Sequence, residues 1–358
     1  MPEVLLFGAT GYTGRLTAEA LARRGADFAI AGRDRAKLER LASTTGNPDV
    51  RVASVGDIDG LAAALEDVKV LITCVGPFSQ LGETAVEAAL RAKVHYVDST
   101  GEGPFIGTLI ESCTDAARAA GIAMVPSMGF DEVPADSAAY LAAEGMTNAS
   151  LRLTYSLPLS ASAGTLRSLI GIAASKGPWL EDGAQTWVGA GDRSRWAPMP
   201  PPLGPKRSVS LPLAEGRLAP LHLDVRTLET YITVETAERI GIKLSAPFLP
   251  LLSKGFVQGA IGKLIDRLPE GPTSEQRRKS HWTVLAEARS GSQWRNVAIS
   301  GTDAYGLTAE FLSAGALKIA SDGPEEIGVV APVQAMGIET FQKEFAEHGV
   351  TVETYEPK

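Results

Sequence analysis

The chain has 358 residues, 44% of them apolar and 21% charged, with a net charge of −8 and a pI near 5.2. That length holds two domains with cores of their own. The acidic balance argues against general nucleic-acid binding, which needs a basic surface. No run reaches the ~18 uncharged apolar residues that a membrane span requires.

Two cysteines, Cys74 and Cys113, are too few for a disulfide framework and lack metal-ligand spacing, so no metal site is expected. The N-terminus lacks the basic and apolar regions of a secretory leader. A reducing cytosol is the simplest home, and the expected location is cytoplasmic.

Six short β-branched or apolar runs come first, at residues 4–7, 28–31, 50–55, 68–75, 94–97 and 122–125. Alanine- and leucine-rich stretches of helical spacing separate them. This alternation predicts an α/β domain with a parallel sheet covered by helices on both faces. In the first helix Leu16, Ala20 and Leu21 are read as the inner face, with Gly25 as the stop.

The texture changes after "PSMGFDEVPAD". A helix is expected over 133–145. Strand-like alternation follows in "LRLTYSL" and "RSVSLPL", and in "HWTVLAEA" and "QWRNVAIS", which "RSGS" joins as a hairpin. "WAPMPPPLGPKRS" is a proline-rich loop. Residues 256–265 carry an apolar helical stripe, and a long helix is expected over 304–320. The expected organisation is a Rossmann-type doubly wound parallel sheet over 1–130, followed by an α+β domain with a mixed or antiparallel sheet over 131–300. The latter is read as a substrate or dimerisation domain. A helical segment over 301–358 is expected to return to the first domain.

The first strand runs into "GATGYTG". Gly8 permits a tight turn, Gly11 lets the backbone approach a pyrophosphate, and Gly14 lets the helix pack close to the sheet. Thr10, Tyr12 and Thr13 fill the loop between them. The spacing departs from G-x-G-x-x-G, and an ordinary strand–helix turn also uses such glycines. The strand–loop–helix context favours a nucleotide site.

The second strand ends in "AGRDRAKL". Arg33 stands where an NAD-binding unit carries an acid for the ribose, and a guanidinium suits a 2′-phosphate. NADP(H) is therefore the expected cofactor. The alternative is Asp34 as ribose ligand, although Asp34 also suits a helix N-cap.

The fourth strand ends in "ITCVGPF", and Val75, Gly76 and Pro77 are expected to line the cofactor cleft, with Cys74 packed in the core. In "GFDEVPAD", Gly129, Phe130 and Asp131 are expected beside the nicotinamide. Asp131 and Asp136 are also candidates to cap the next helix. In "HYVDSTGE", Asp98, Ser99 and Glu102 either face the nicotinamide or substrate, or close a turn. No tyrosine is followed four residues later by lysine, so the Tyr-x-x-x-Lys mechanism is unsupported. The candidate proton donors are Asp131, Tyr305 and His281, with water as the alternative. The basic run Arg277, Arg278 and Lys279 suits either a phosphate-bearing partner or a solvated loop.

Taken in order, "GATGYTG", "AGRDRAKL", "VGPFSQLGETAVEAALRAKVHYVDSTGE" and "GFDEVPAD" resemble the saccharopine dehydrogenase-like oxidoreductases, and within them the trans-acting enoyl reductases. The resemblance is strong over 1–140. It returns at "GPTSEQRRKSHWTVLAEARS", "GTDAYGLTA" and "APVQAMG", and is loose over 155–250. It implies NADPH-dependent reduction of the C=C bond of an α,β-unsaturated acyl or polyketide thioester. The implied partner is an acyl carrier protein or a polyketide synthase. The saccharopine branch implies instead reduction of an imine or carbonyl group on a small metabolite. A third reading is a cofactor-binding scaffold or lipid-associated protein without catalysis. A homodimer is a further expectation from the second domain.

Overall fold

The computed structural model describes residues 2–130, 132–157, 162, 176–211, 213–234 and 270–355. The chain divides into two compact units. One is Met1–Val133 with Ala304–Glu344, and the other is Pro134–Asp303 with Phe345–Lys358.

The first unit begins with six strands, β1 (Val4–Phe7), β2 (Phe28–Gly32), β3 (Asp49–Val52), β4 (Val70–Thr73), β5 (His95–Asp98) and β6 (Ala123–Val125). Between them run the helices α1 (Tyr12–Arg23), α2 (Arg35–Ala42), α3 (Ile58–Ala63), α4 (Phe78–Leu81), α5 (Glu83–Ala92) and α6 (Gly103–Ala120). Every residue of β1, β2 and β4 is buried. Central parallel strands are covered on both faces, so their sequences read as apolar runs rather than alternations. Each fully buried side chain such as Leu5 or Ile30 contributes roughly 1.5–3 kcal/mol.

The inner face of α1 differs from its expected one. Gly14, Thr17, Ala18 and Leu21 are buried with Ala20, while Leu16 is only half-buried. The small side chains set the face, because α1 must pack close to a second helix introduced below.

The second unit opens with α7 (Val133–Ala143), whose first residue still belongs to the first unit. Its strands are β7 (Ala149–Ser156), β8 (Lys176–Glu181), β9 (Ala184–Gly189), β10 (Ser194–Ala197), β11 (Lys206–Ser210), β12 (Val225–Thr233), β13 (His281–Ser290) and β14 (Gln293–Thr302). Two short helices, α8 (Glu215–Leu218) and α9 (Ser274–Lys279), lie between strands. The expected hairpin is β13–β14, closed by Gly291 at φ +57°. The proline-rich loop lays Met199 and Leu203 against Leu285 and Ala298. The apolar stripe expected at 256–265 lies outside the described residues.

The chain then returns to the first unit through α10 (Ala304–Asp322), β15 (Gly328–Val329), α11 (Pro332–Met336) and most of α12 (Ile338–Glu347). β15 completes a seven-stranded parallel sheet of order β15-β6-β5-β4-β1-β2-β3. α10 packs on α1, and Arg24, the C-cap of α1, bonds Glu310 at 2.9 Å and Glu344 at 2.6 Å.

The last fourteen residues do not return with it. "TVETY" forms β16 (Thr351–Tyr355), antiparallel to β14 at the edge of the second unit's sheet. β-Branched Thr351, Val352 and Thr354 beside an open edge favour that pairing over helix. The second sheet runs β10-β11-β12-β7-β13-β14-β16, with β8 on β12 and β9 on β8. β12 and β7 are parallel and the other pairs antiparallel, so the sheet is mixed.

Candidate functional site

In the first unit the segments singled out by sequence meet along the carboxyl ends of the strands. Gly8 has φ +84°, and a Cβ there would lie 2.6 Å from Val75 Cγ2. The glycine loop therefore rests directly on the end of β4. A Cβ on Gly14 would collide with the Gly8 carbonyl oxygen and lie 2.8 Å from Ala9 Cα. Gly11 differs: it is exposed, and the nearest atom to a Cβ there is Gly8 O at 3.4 Å. The fold requires glycine at 8 and 14 but not at 11. The space beside Gly11 is the cradle a phosphate needs, since a bare backbone allows the closest approach.

Gly11 is the N-cap of α1 and no side chain caps the helix. Thr10 O accepts Arg15 Nη1 at 2.9 Å, and Thr13 O accepts the Thr17 hydroxyl at 3.0 Å. The loop is thus braced from inside the helix. The positive end of α1 faces the side an anion would approach.

Arg33 is exposed just beyond β2 and takes part in no ion pair among the described residues. Asp34 accepts the Lys37 backbone N–H at 3.0 Å as the N-cap of α2. The carboxylate is therefore used as a cap, while the guanidinium is free. The donor set suits the extra phosphate of NADP(H) rather than a bare ribose hydroxyl.

Val75 and Pro77 are half-buried and Gly76 is exposed at the same rim. Desolvation pushes the Cys74 thiol up to about 12, so it stays protonated and is no nucleophile.

Asp98 and Glu102 act as braces. Asp98 is fully buried at the end of β5. Its carboxylate accepts Tyr96 OH at 2.6 Å, Thr100 N at 2.8 Å and Ser127 N at 2.9 Å. Its carbonyl accepts Met128 N at 2.7 Å. Glu102 accepts Phe78 N at 2.9 Å and Ser79 N at 3.0 Å, so it caps α4 from 24 residues away. These contacts join the loop after β5 to the loops after β4 and β6. They explain why "VGPFS", "VDSTGE" and "SMGF" occur together. Ser127 holds φ +63°, a conformation that costs a non-glycine residue and is enforced here by the Asp98 bonds.

Burial pushes Asp98 up to about 6, against the hydrogen bonds from Tyr96, Thr100 and Ser127 that pull it down. The native state then holds its proton more tightly than the unfolded chain. This contribution to stability falls as pH rises from about 4 to about 6, by about 3 kcal/mol. Asp98→Asn removes the charge and keeps the shape. Its urea midpoint relative to the parent should therefore rise between pH 4 and pH 7. Parallel pH dependence of the two proteins would contradict this account.

Gly129 and Phe130 lie at the same rim. Phe130 N donates to Thr308 Oγ1 at 3.0 Å, and a Cβ on Gly129 would lie 3.6 Å from Ser99 Cβ. Tyr305, one turn earlier on α10, stacks edge-on to Tyr12 with centroids 5.2 Å apart. α10 thus touches both the glycine loop and the loop after β6. Thr308 carried no sequence signal of its own. Only the stripe of α10 places it.

Asp131 lies outside the described residues. His281 is exposed at the first position of β13 in the second unit. Asp136 Oδ1 meets His222 Nε2 at 2.7 Å in the second unit, and the Tyr140 ring stacks on the imidazole. The sequence gives no sign of this pair, since 86 residues separate its members. In the basic run, Arg277 pairs with Asp303 at 2.8 Å and Lys279 with Glu275 at 2.6 Å. Only Arg278 of the three is left without a described ion pair, which weakens a phosphate-docking role.

Residues 4–125 match the saccharopine dehydrogenase NADP binding domain. A Mycobacterium tuberculosis protein carrying the trans-acting enoyl reductase name is 35% identical over 144 residues, or 38% of this chain. That match spans 34% of the relative, so about a third of its length. A trans-acting enoyl reductase of Mycobacterium bovis is 26% identical over 390 residues, covering 94% of this chain and 93% of the relative. Apo saccharopine dehydrogenase (L-Glu forming) of Saccharomyces cerevisiae superposes with a TM-score of 0.64 at 14% identity, over 99% of this chain and 100% of that one. This last likeness shows the fold alone. No helix among the described residues is long and apolar enough to cross a membrane. Residues 4–125 are thus a saccharopine dehydrogenase NADP-binding domain, and over nearly its whole length the chain is similar to proteins named trans-acting enoyl reductases.

Proposed function

We propose that the protein is an NADPH-dependent reductase of the C=C bond in an α,β-unsaturated acyl or polyketide thioester. The observation that carries this reading is the end-to-end similarity to proteins named trans-acting enoyl reductases. A carrier-bound form of the substrate, with an acyl carrier protein or polyketide synthase as partner, belongs to the same reading.

In this reading Gly8, Thr10, Gly11, Tyr12, Thr13 and Gly14 hold the pyrophosphate through backbone N–H groups and the α1 dipole. Arg33 binds the 2′-phosphate. Val75, Gly76 and Pro77 form one wall, and Gly129 and Phe130, fixed by Thr308, form the floor for the nicotinamide. Bound there, NADPH supplies a hydride, which the reaction places on the acyl β-carbon. The α-carbon takes a proton, for which water suffices. Asp98 and Glu102 hold the three loops at the separation the cofactor needs, so their effect is on orientation.

Purified protein mixed with NADPH and a 2-enoyl thioester should oxidise the cofactor and give a product two mass units heavier. Turnover on an amino acid and carbonyl pair, with none across a panel of enoyl thioesters, would replace this reading by imine reduction. Tight NADPH binding without turnover on either panel would leave a cofactor-binding scaffold.

A further inference from the structure

The second unit's sheet has one apolar face, with Leu151, Leu153, Val284, Ala286, Val297 and Ile299 buried on it. Its other face carries Leu285 and Ala298 under the proline-rich loop and, beyond them, a charged region. Two adjacent rungs cross that face. One runs Asn296, Glu287, Arg152, Glu229 over β14, β13, β7 and β12. The next runs Trp294, Arg289, Ser150, Thr227 over the same strands. A cavity of about 260 Å³ opens on them, lined by Ser150, Arg152, Glu287, Arg289 and Trp294. That is below the roughly 300–1,000 Å³ of sites for drug-sized ligands, so it suits a small one.

The charges on this face are unevenly spent. Glu287, almost fully buried, is gripped by both terminal nitrogens of Arg195, the longer bond being 2.9 Å. Glu229 accepts Arg152 Nε at 2.7 Å and Tyr231 OH at 3.2 Å. Both carboxylates are therefore occupied. Arg152 commits only Nε to Glu229, and Arg289 makes only one weak bond, from Nε to Gly291 O at 3.5 Å.

A further observation points to a ligand. The Trp294 indole, on the same rung as Arg289, is 46% exposed and lines the cavity as a flat apolar wall. Asn296 shares the rung of Glu287 and is completely buried, yet neither atom of its amide has a hydrogen-bond partner. Buried amides are otherwise paired almost without exception, because leaving one unpaired costs its full desolvation.

We propose that this face binds a small planar organic acid, its carboxylate or phosphate held between Arg152 and Arg289 and its flat body on the Trp294 indole. Two guanidinium forks match an acid group through charge-assisted bonds, and an indole face takes a conjugated or aromatic body. The site lies wholly within the second unit.

The test uses the full chain titrated with benzoate, phenyl phosphate, benzamide and inorganic phosphate, read by calorimetry and tryptophan fluorescence. Benzoate or phenyl phosphate should bind saturably, the tighter of the two identifying the acid group, and benzamide should bind at least about tenfold more weakly. Arg289→Ala should weaken the binding at least about tenfold. Trp294→Phe should abolish the fluorescence change. Both variants should keep the parent's NADPH affinity, which reports an intact fold. Benzamide binding as tightly as benzoate would overturn the proposal, as would full affinity in Arg289→Ala. Inorganic phosphate matching phenyl phosphate would remove the role of Trp294. A dimer that Arg289→Ala splits, with no probe bound, would assign the face to a second copy of the chain instead.

Discussion

Gly11→Ala leaves the fold standing and removes most of the NADPH affinity, whereas Gly14→Ala costs the fold much of its stability. The two residues stand three positions apart in one motif, yet their surroundings are opposite. A Cβ at Gly14 collides with the Gly8 carbonyl and comes within 2.8 Å of Ala9 Cα, both main-chain atoms with nowhere to go. Overpacking against backbone costs about 3 kcal/mol, enough to lower the urea midpoint sharply. At Gly11 the φ is −73° and the ψ 171°, open to any residue, and the nearest protein atom to a Cβ is 3.4 Å away. Its alanine variant should lose about 1 kcal/mol or less of stability. The methyl group would instead stand where the pyrophosphate meets the backbone. Loss of one or two charge-assisted bonds there lowers affinity about tenfold to a hundredfold. Urea unfolding and NADPH fluorescence titration on both variants check this. Parent-like NADPH affinity in Gly11→Ala would show that the cradle is only a turn.

Arg33→Ala should weaken NADPH by about tenfold to a hundredfold while leaving NADH nearly unchanged. Arg33 is exposed and has no ion pair among the described residues, so its removal breaks nothing within the protein. What it removes is the only guanidinium directly at the end of β2, and the two cofactors differ only by the 2′-phosphate. Arg35 lies nearby but sits 3.7 Å from Glu39 on the surface of α2. Asp34 is held by the Lys37 N–H, so it is not free to turn toward a ribose without uncapping α2. Titration of parent and variant with each cofactor gives the two ratios directly. Equal losses for NADPH and NADH would return the ribose contact to Asp34.

Whether a feature was legible in sequence depended on the range of the forces behind it. The glycine spacing, the six apolar runs and the β13–β14 hairpin are set by residues within a few positions of one another. Local sterics and periodicity carry them, and they were readable. Asp98 and Glu102 were readable as polar residues at a strand end, but not as braces. Their partners stand at Ser127 and at Phe78 and Ser79, 29, 24 and 23 residues away, on loops that meet only because β4, β5 and β6 are neighbours. Tyr305 was legible as an aromatic near a helix start. That it faces Tyr12 required α10 to pack on α1, two helices far apart along the chain.

By itself the sequence determined that a glycine-rich turn follows the first strand, that an arginine rather than an acid follows the second, and that a parallel α/β unit precedes a mixed α+β one. Each follows from backbone sterics and from which side chains neighbouring positions can bury. The tertiary structure alone decided which glycine the fold needs, which carboxylates are spent as braces, where the last strand pairs, and that Arg152, Arg289 and Trp294 share one face. The reason is that burial, collision and charge pairing are properties of neighbours in space, and those neighbours are fixed only once the sheets have formed.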